Sequence, residues 1–194
     1  KMDFMMVNAH PALGFIRPIL PKTIQLGFMH IEPPKELPNG DLKKFLDNSK
    51  NGVIYMSFGS NVQSKDLSPQ VQKIFLNVFS EFNYNYVWKF EAEKLQGIPS
   101  NLLISKWLPQ ADLLAHPNMK LFITQGGQQS MEEAIDRTIP MIIIPFLGDQ
   151  EPNAKRMVMK KIGLHLDLQD LTEEKLRNSI NEMLKPEYKE NIIK

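Results

Sequence analysis

The stretch FITQGGQQSMEEA, residues 122 to 134, continues an apolar run from Leu121, passes through Thr124 and Gln125 to the glycine pair Gly126-Gly127, and then turns polar and helix-forming at Ser130, Glu132, Glu133 and Ala134. That order reads as strand, tight turn, helix. Two glycines let a backbone approach a ligand closely, and a helix opening beyond them presents free N–H groups and the positive end of its dipole. Gln125, Gln129 and Ser130 add neutral hydrogen-bonding side chains, so the turn suits an anion such as a phosphate or diphosphate. The plain alternative is a Gly-Gly turn with Ser130 as an ordinary helix cap. The spacing is neither GxGxxG nor a P-loop, which weakens dinucleotide-binding and P-loop NTPase readings.

Outward from this stretch the same unit recurs. VIYMSF (53–58) is a β-branched and aromatic run that enters Gly59-Ser60-Asn61, a second turn of the same kind. Ser68-Pro69 then caps a helix whose apolar stripe is Val71, Ile74, Phe75, Val78 and Phe79. YNYVWKF (84–90) and NLLIS (101–105) read as strands, PQADLLAH as a short helix and KLFIT as the strand before the opening turn. MIIIP follows as a strand, then a helix over about 151–162, a short strand LHLDL, and a helix from Thr172 to Lys185. DLKKFLDNS after Gly40 is a short helix at the start. Alternating strands and helices, with continuously apolar central strands, predict an α/β fold with a Rossmann-like, doubly wound parallel sheet. Ligands in such sheets bind at the carboxyl ends of the strands, so loops 58–62, 89–94, 105–110, 124–130 and 145–153 are the ones to inspect.

Composition narrows the function. The 194 residues are 42% hydrophobic and 23% charged, with a net charge of +1, and acidic and basic residues are interleaved. There is no basic face to hold nucleic acid. No cysteine is present, which excludes disulfides and thiolate chemistry. No apolar run approaches the ~20 residues of a membrane span. Residues 1–40 hold Pro11, Pro18, Pro21, Pro33, Pro34 and Pro38 with little periodicity, and are expected to be an extended connector leading out of a preceding domain. The four histidines, His10, His30, His116 and His165, have no metal-ligand spacing and no acid arranged as in a catalytic dyad, so no general base is expected in this chain.

The remaining loops offer specific side chains. Trp107 lies just past a strand and Gln110 opens a helix; an indole there would stack a planar base while the amide reads its edge, unless Trp107 is a core residue. Asp149 and Gln150 follow the MIIIP strand and suit sugar hydroxyls, or else a turn and cap. Glu132 and Glu133 are adjacent on a helix, so at most one faces a ligand. Glu133 also has Arg137 four residues on, which allows a surface ion pair instead.

The segment from Trp107 to Gln150 resembles the donor-binding signature of the UDP-glycosyltransferases: W-x-P-Q, then F-I-T-Q-G-G-x-x-S-x-x-E, then I-P-M, then P-F-x-x-D-Q. SFGSN (57–61) and PEYKENI (186–192) are also similar to the family. The resemblance covers nearly the whole chain and implies the C-terminal half of a GT-B fold, with residues 41–194 as the UDP-sugar donor-binding domain. It implies that Trp107 stacks the uracil, Gln110 contacts the uridine and Glu133 holds the ribose hydroxyls. Ser60, Gly127, Gln129 and Ser130 would cradle the diphosphate, and Asp149 and Gln150 would bind the transferred sugar. The implied chemistry is an inverting displacement without a metal or other cofactor, in which a histidine–aspartate pair in the N-terminal half deprotonates a small lipophilic acceptor bound mainly by that half. No catalytic residue is then expected in this chain, and the isolated chain should bind donor without transferring sugar. The resemblance also implies a full-length protein anchored in the membrane with its domains in the endoplasmic reticulum lumen, allows a homodimer, and leaves this chain soluble.

One departure stands out. Many family members carry histidine where this chain has Gln125; a neutral amide donor is worth ~1 kcal/mol net against ~1.5–3 for a bond to a charged partner. Glutamine here is similar to the insect branch, many of whose members use UDP-glucose, so glucose is favoured over glucuronic acid. A non-catalytic nucleotide-sugar binding module would use the same residues. A UDP-sugar hydrolase or epimerase with the same sheet fits the pattern less well.

Overall fold

The computed structural model describes residues 3–11, 13, 14 and 18–194. In chain order the elements are β1 (Met5–Val7), β2 (Thr23–Gln25), α1 (Asp41–Asp47), β3 (Val53–Ser57), α2 (Pro69–Glu81), β4 (Asn85–Lys89), β5 (Leu102–Ser105), α3 (Gln110–Leu114), β6 (Met119–Thr124), α4 (Gln128–Asp136), β7 (Met141–Ile143), α5 (Gln150–Met159), β8 (Gly163–His165), α6 (Glu173–Met183) and α7 (Pro186–Ile193). Six strands form one parallel sheet in the order β5-β4-β3-β6-β7-β8. The chain winds outward from β3 through β4 to β5, returns to the other side of β3, and winds outward again through β7 and β8. The sheet is therefore doubly wound, and its winding direction switches between β3 and β6.

Period-two alternation builds a core on each face of this sheet. Ile54, Met56, Tyr86, Trp88, Leu121 and Ile123 face α2 and α6. Val53, Tyr55, Val87, Phe122, Met141 and Ile143 face α1, α3, α4 and α5. Both faces are covered, which is why the strands carry apolar residues without interruption. On the first face, α2 supplies Phe75 and Phe79 to an aromatic cluster with Trp88 and Tyr86, the Phe79 and Tyr86 rings stacking at 4.0 Å. Local signals agree with the ends of these helices. Ser68 accepts from the Val71 N–H at the start of α2, and Thr172 accepts from the Lys175 N–H at the start of α6.

The first 40 residues, expected to be an extended connector, include two short strands. Among those described, Met5–Val7 and Thr23–Gln25 pair in parallel as a separate two-stranded sheet. Three-residue strands are too short to show a period, and a parallel pair is joined by no local turn, so no sequence signal marks them. Residues 1, 2, 12 and 15–17 of that segment lie outside the described residues. Farther along, the segment is fastened to the main sheet's helices. The Lys35 N–H donates to Asp112 at 2.8 Å and Arg137 donates to the Glu32 carbonyl at 2.9 Å. The terminal helix α7, with Pro186 in its first turn, is also additional to the elements read from periodicity.

Asn101 closes the far end of α2. Its amide nitrogen reaches the carbonyls of Phe79 (2.9 Å), Phe82 (3.3 Å) and Tyr84 (2.8 Å), groups left without helical partners where α2 ends. Asn101→Ala should lower stability by about 1–3 kcal/mol, the cost of stranding such acceptors. The measurement is a urea unfolding curve, with a reduced midpoint and an unchanged slope.

Candidate functional site

Parallel strands bring their carboxyl ends to one edge, and the turns after β3, β4, β5 and β6 meet there. They enclose an open cleft of about 420 Å³ lined by Tyr55, Ser57, Gly59, Ser60, Lys89, residues 107–112, Gln129, Ser130 and Glu133. The cleft lies at the switch between β3 and β6, where neighbouring turns lead to helices on opposite faces of the sheet.

Two glycines shape the turns after β3 and β6. Gly59 has φ +75° and Gly126 has φ +89°, backbone that other residues adopt only with strain. A side chain at 59 would overlap the Gln125 amide nitrogen, and one at 126 would come within 2.6 Å of Ile143. Gln125 itself is 8% exposed and lies between Gly59 and Gly127. Its Oε1 is buried without a hydrogen-bond partner among the described residues. An amide left in this state beside two turns is unusual, since buried polar groups are nearly always paired. Gly127 is the N-cap of α4 and no side chain caps that helix, so the first N–H groups of α4 have no side-chain acceptor at the cap. Ser130 is therefore not the cap that the plain alternative requires.

The polar wall is a connected network. Gln110 donates through Nε2 to Glu133 (2.7 Å) and to Ser130 Oγ (2.9 Å), and accepts from the Tyr55 hydroxyl at 3.2 Å. Both amide protons are engaged, which leaves Gln110 one free lone pair on its oxygen. Glu133 turns to the cleft while its neighbour Glu132 is buried against His30 and Gln128. Arg137 pairs with Asp136 at 3.2 Å, so the surface pair allowed for Glu133 is not the one formed. Lys89, the one cationic side chain among the described lining residues, was not foreseen. Its ammonium donates to the Gly59 carbonyl at 2.6 Å, meets Glu91 at 3.2 Å and stands 5.9 Å from the centre of the Trp107 ring. A lysine ending a strand in a doubly wound sheet is the signal that would have found it.

The two tryptophans separate cleanly. Trp88 is fully buried and Trp107 is 74% exposed at the rim of the cleft, so Trp107 is not a core residue. The cleft gathers Ser60, Trp107, Gln110, Gln129, Ser130 and Glu133; Gln125 and Gly127 lie outside its lining, with the Gln125 amide packed against Gly59 and Gly127. Asp149 and Gln150 lie outside its lining. The Gln150 oxygen accepts from the N–H groups of Phe146 (2.7 Å) and Leu147 (2.9 Å), which closes its own loop. Asp149 is exposed and accepts from Asn153 at 2.8 Å.

Three histidines do meet carboxylates, contrary to the expectation from sequence: His30 with Glu132 (3.4 Å), His116 with Asp47 (3.1 Å) and His165 with Glu151 (3.3 Å). These partners are far apart in the chain, so only folding brings them together. None of the three histidines lines the cleft. Among the described residues no group of three or more His, Asp or Glu side chains is placed to hold a metal ion. No described helix is long and apolar enough to cross a membrane.

The chain is similar to known proteins in both fold and sequence. A solved UDP-glucosyltransferase from Polygonum tinctorium superimposes with a TM-score of 0.81 at 19% identity, over 98% of this chain and 48% of that one. This likeness establishes the fold, one half of a GT-B architecture. All of residues 1–194 match the family described as UDP-glucoronosyl and UDP-glucosyl transferase. UDP-glycosyltransferase UGT5 of Dactylopius coccus is 37% identical over 98% of this chain and 36% of its own length. The ecdysteroid UDP-glucosyltransferase of Spodoptera littoralis nuclear polyhedrosis virus is 40% identical over 89% of this chain and 36% of its own. The chain belongs to the UDP-glycosyltransferase family, and it spans little more than a third of the length of these curated relatives.

The exposure of the two tryptophans sets their stability effects apart. Trp107→Ala should shift the unfolding free energy by no more than about 0.5 kcal/mol. Trp88→Ala should cost about 3–5 kcal/mol or prevent folding. Chemical denaturation of both variants checks this.

Proposed function

We propose that the chain is the donor-binding part of a UDP-glycosyltransferase that transfers a hexose, glucose by preference, from a UDP-sugar to a small lipophilic acceptor by inverting displacement. The observation that carries it is the cleft itself. An exposed indole, a carboxylate held by a fixed amide and two glycine turns around an unpaired glutamine meet at one switch point. Each part suits one part of a nucleotide sugar. Trp107 offers a face for the uracil, and the free lone pair of Gln110 suits its N–H edge. Glu133 has two oxygens for the vicinal ribose hydroxyls. Ser60, Gln129, Ser130 and the N–H groups opening α4 at Gly127 suit the diphosphate. Asp149 and Gln150, one loop away, are left for the transferred sugar.

The acceptor and its base fall outside this site. In this reading residues 1–40 are the connector and residues 41–194 the donor domain, and the proton of the acceptor is taken by the N-terminal half of a longer protein. The name of the viral relative, an ecdysteroid UDP-glucosyltransferase, supports both glucose and a lipophilic acceptor. In this reading the whole protein works in the endoplasmic reticulum lumen, anchored to its membrane.

Calorimetry tests the reading directly. This chain should bind UDP weakly and transfer no sugar by itself; no heat with millimolar UDP sinks the proposal. Trp107→Ala should weaken UDP about 5- to 150-fold, as expected for loss of one base–aromatic stack worth roughly 1–3 kcal/mol.

Gln125→His probes the phosphate end. A histidine beside a diphosphate has its pKa raised, because the anion favours imidazolium. UDP should therefore bind this variant more tightly than wild type below that pKa, and the gain should fade as pH rises through it. Uridine, which lacks phosphate, should show no gain. Equal changes for both ligands, or none at either of two pH values, would place residue 125 away from the diphosphate.

A further inference from the structure

We propose that Tyr55 is a positioning residue for donor recognition, holding the Gln110 amide, and through it the Glu133 carboxylate, in the orientation that receives a ribose diol. The inference rests on the donor-site reading above and adds a buried residue that acts through Gln110.

The three side chains differ in how firmly they are held. Tyr55 is fully buried in the middle of β3, opposite Phe122 of β6, and the two rings stack with centres 4.9 Å apart and planes 4° apart. Its hydroxyl is thus delivered to a fixed point by the sheet. Gln110 and Glu133 are only half-buried and sit on the cleft wall, each with several rotatable bonds. Left alone, such side chains sample many rotamers.

The hydrogen bonds run in one direction through this set. The oxygen of an amide only accepts, so the Tyr55 hydroxyl donates to Gln110 Oε1 at 3.2 Å. The nitrogen of the amide only donates, so Gln110 donates to the Glu133 carboxylate at 2.7 Å. Each bond polarises the next in the same sense, which strengthens the series. Without the phenol, the Gln110 oxygen loses its fixed partner, and the amide is free to swing toward solvent and release Glu133. Burial pushes the phenol well above the ordinary tyrosine range, and the negative charge of Glu133 adds to this. Tyr55 therefore keeps its proton, and remains a donor, at neutral pH.

The test compares UDP with 2′,3′-dideoxyuridine diphosphate, which keeps base and diphosphate but lacks the diol. Calorimetry is run on wild type, Glu133→Ala and Tyr55→Phe, the last of which keeps the ring stacked on Phe122. Wild type should prefer UDP, and Glu133→Ala should abolish the preference. Tyr55→Phe should lose about 2- to 12-fold in UDP affinity, the effect of one net hydrogen bond, with the dideoxy ligand unchanged. In the free protein, solvent exchange of the Gln110 side-chain amide protons, read by NMR, should be slow in wild type and faster in Tyr55→Phe. An equal loss for both ligands, an unchanged UDP affinity, or unchanged amide exchange overturns the role of Tyr55 and leaves the donor site standing. A wild type that ignores the diol, or that does not bind UDP, overturns the donor-site reading and this inference with it.

Discussion

β3 and β6 lie side by side in parallel, with Ile54 opposite Leu121 and Ser57 opposite Thr124, although more than sixty residues separate them in the chain. Everything at the ligand edge follows from that pairing. It sets the turn at Gly59 against the turn at Gly126-Gly127 and places Gln125 between them. The helix after β3 packs on one face of the sheet and the helix after β6 on the other. Neither helix covers the gap between the two turns, so the crevice stays open. Closely packed glycines at this point are a steric requirement, since a side chain at either 59 or 126 would collide with its neighbour across the strands.

The polar groups of the cleft are organised from the core outward. Tyr55 and Phe122 belong to the buried layer, and Gln110, Ser130 and Glu133 stand one bond or two farther toward solvent. Lys89, at the end of β4, joins the Gly59 carbonyl and Glu91 beside the Trp107 ring. Polar groups held this way take their geometry from the sheet and the helices packed on it, which limits the reorganisation needed when a ligand arrives. The segment before α1 adds a second support. His30 and Arg137 tie it to α4 through backbone carbonyls, and its Lys35 N–H meets Asp112 of α3. These are the helices that carry the network.

Much of this was legible in the chain. The doubly wound sheet follows from alternating elements and unbroken apolar strands, because a strand covered on both faces must be apolar at every position. The caps at Ser68 and Thr172 are local and could be read directly. Of the cleft residues, Ser60 and Trp107 lie in turns after strands, and Gln110, Gln129, Ser130 and Glu133 lie in the opening turns of the helices that follow, so strand order alone places them on one edge. The short β1–β2 pair escaped because three residues carry no period.

What the sequence determined by itself was the elements of the six-stranded sheet, their two-faced burial and the edge at which a ligand can bind, since each depends on residues close together in the chain. Tertiary structure decided the pairings. It exposed Trp107 and buried Trp88. It brought His30, His116 and His165 to carboxylates, and turned Gln150 into its own loop. It also engaged the Gln110 amide between Tyr55 and Glu133, partners 55 and 23 residues away. Hydrogen bonds of that kind depend on distance and angle between strands and helices that meet only after folding, and a linear pattern holds no record of either.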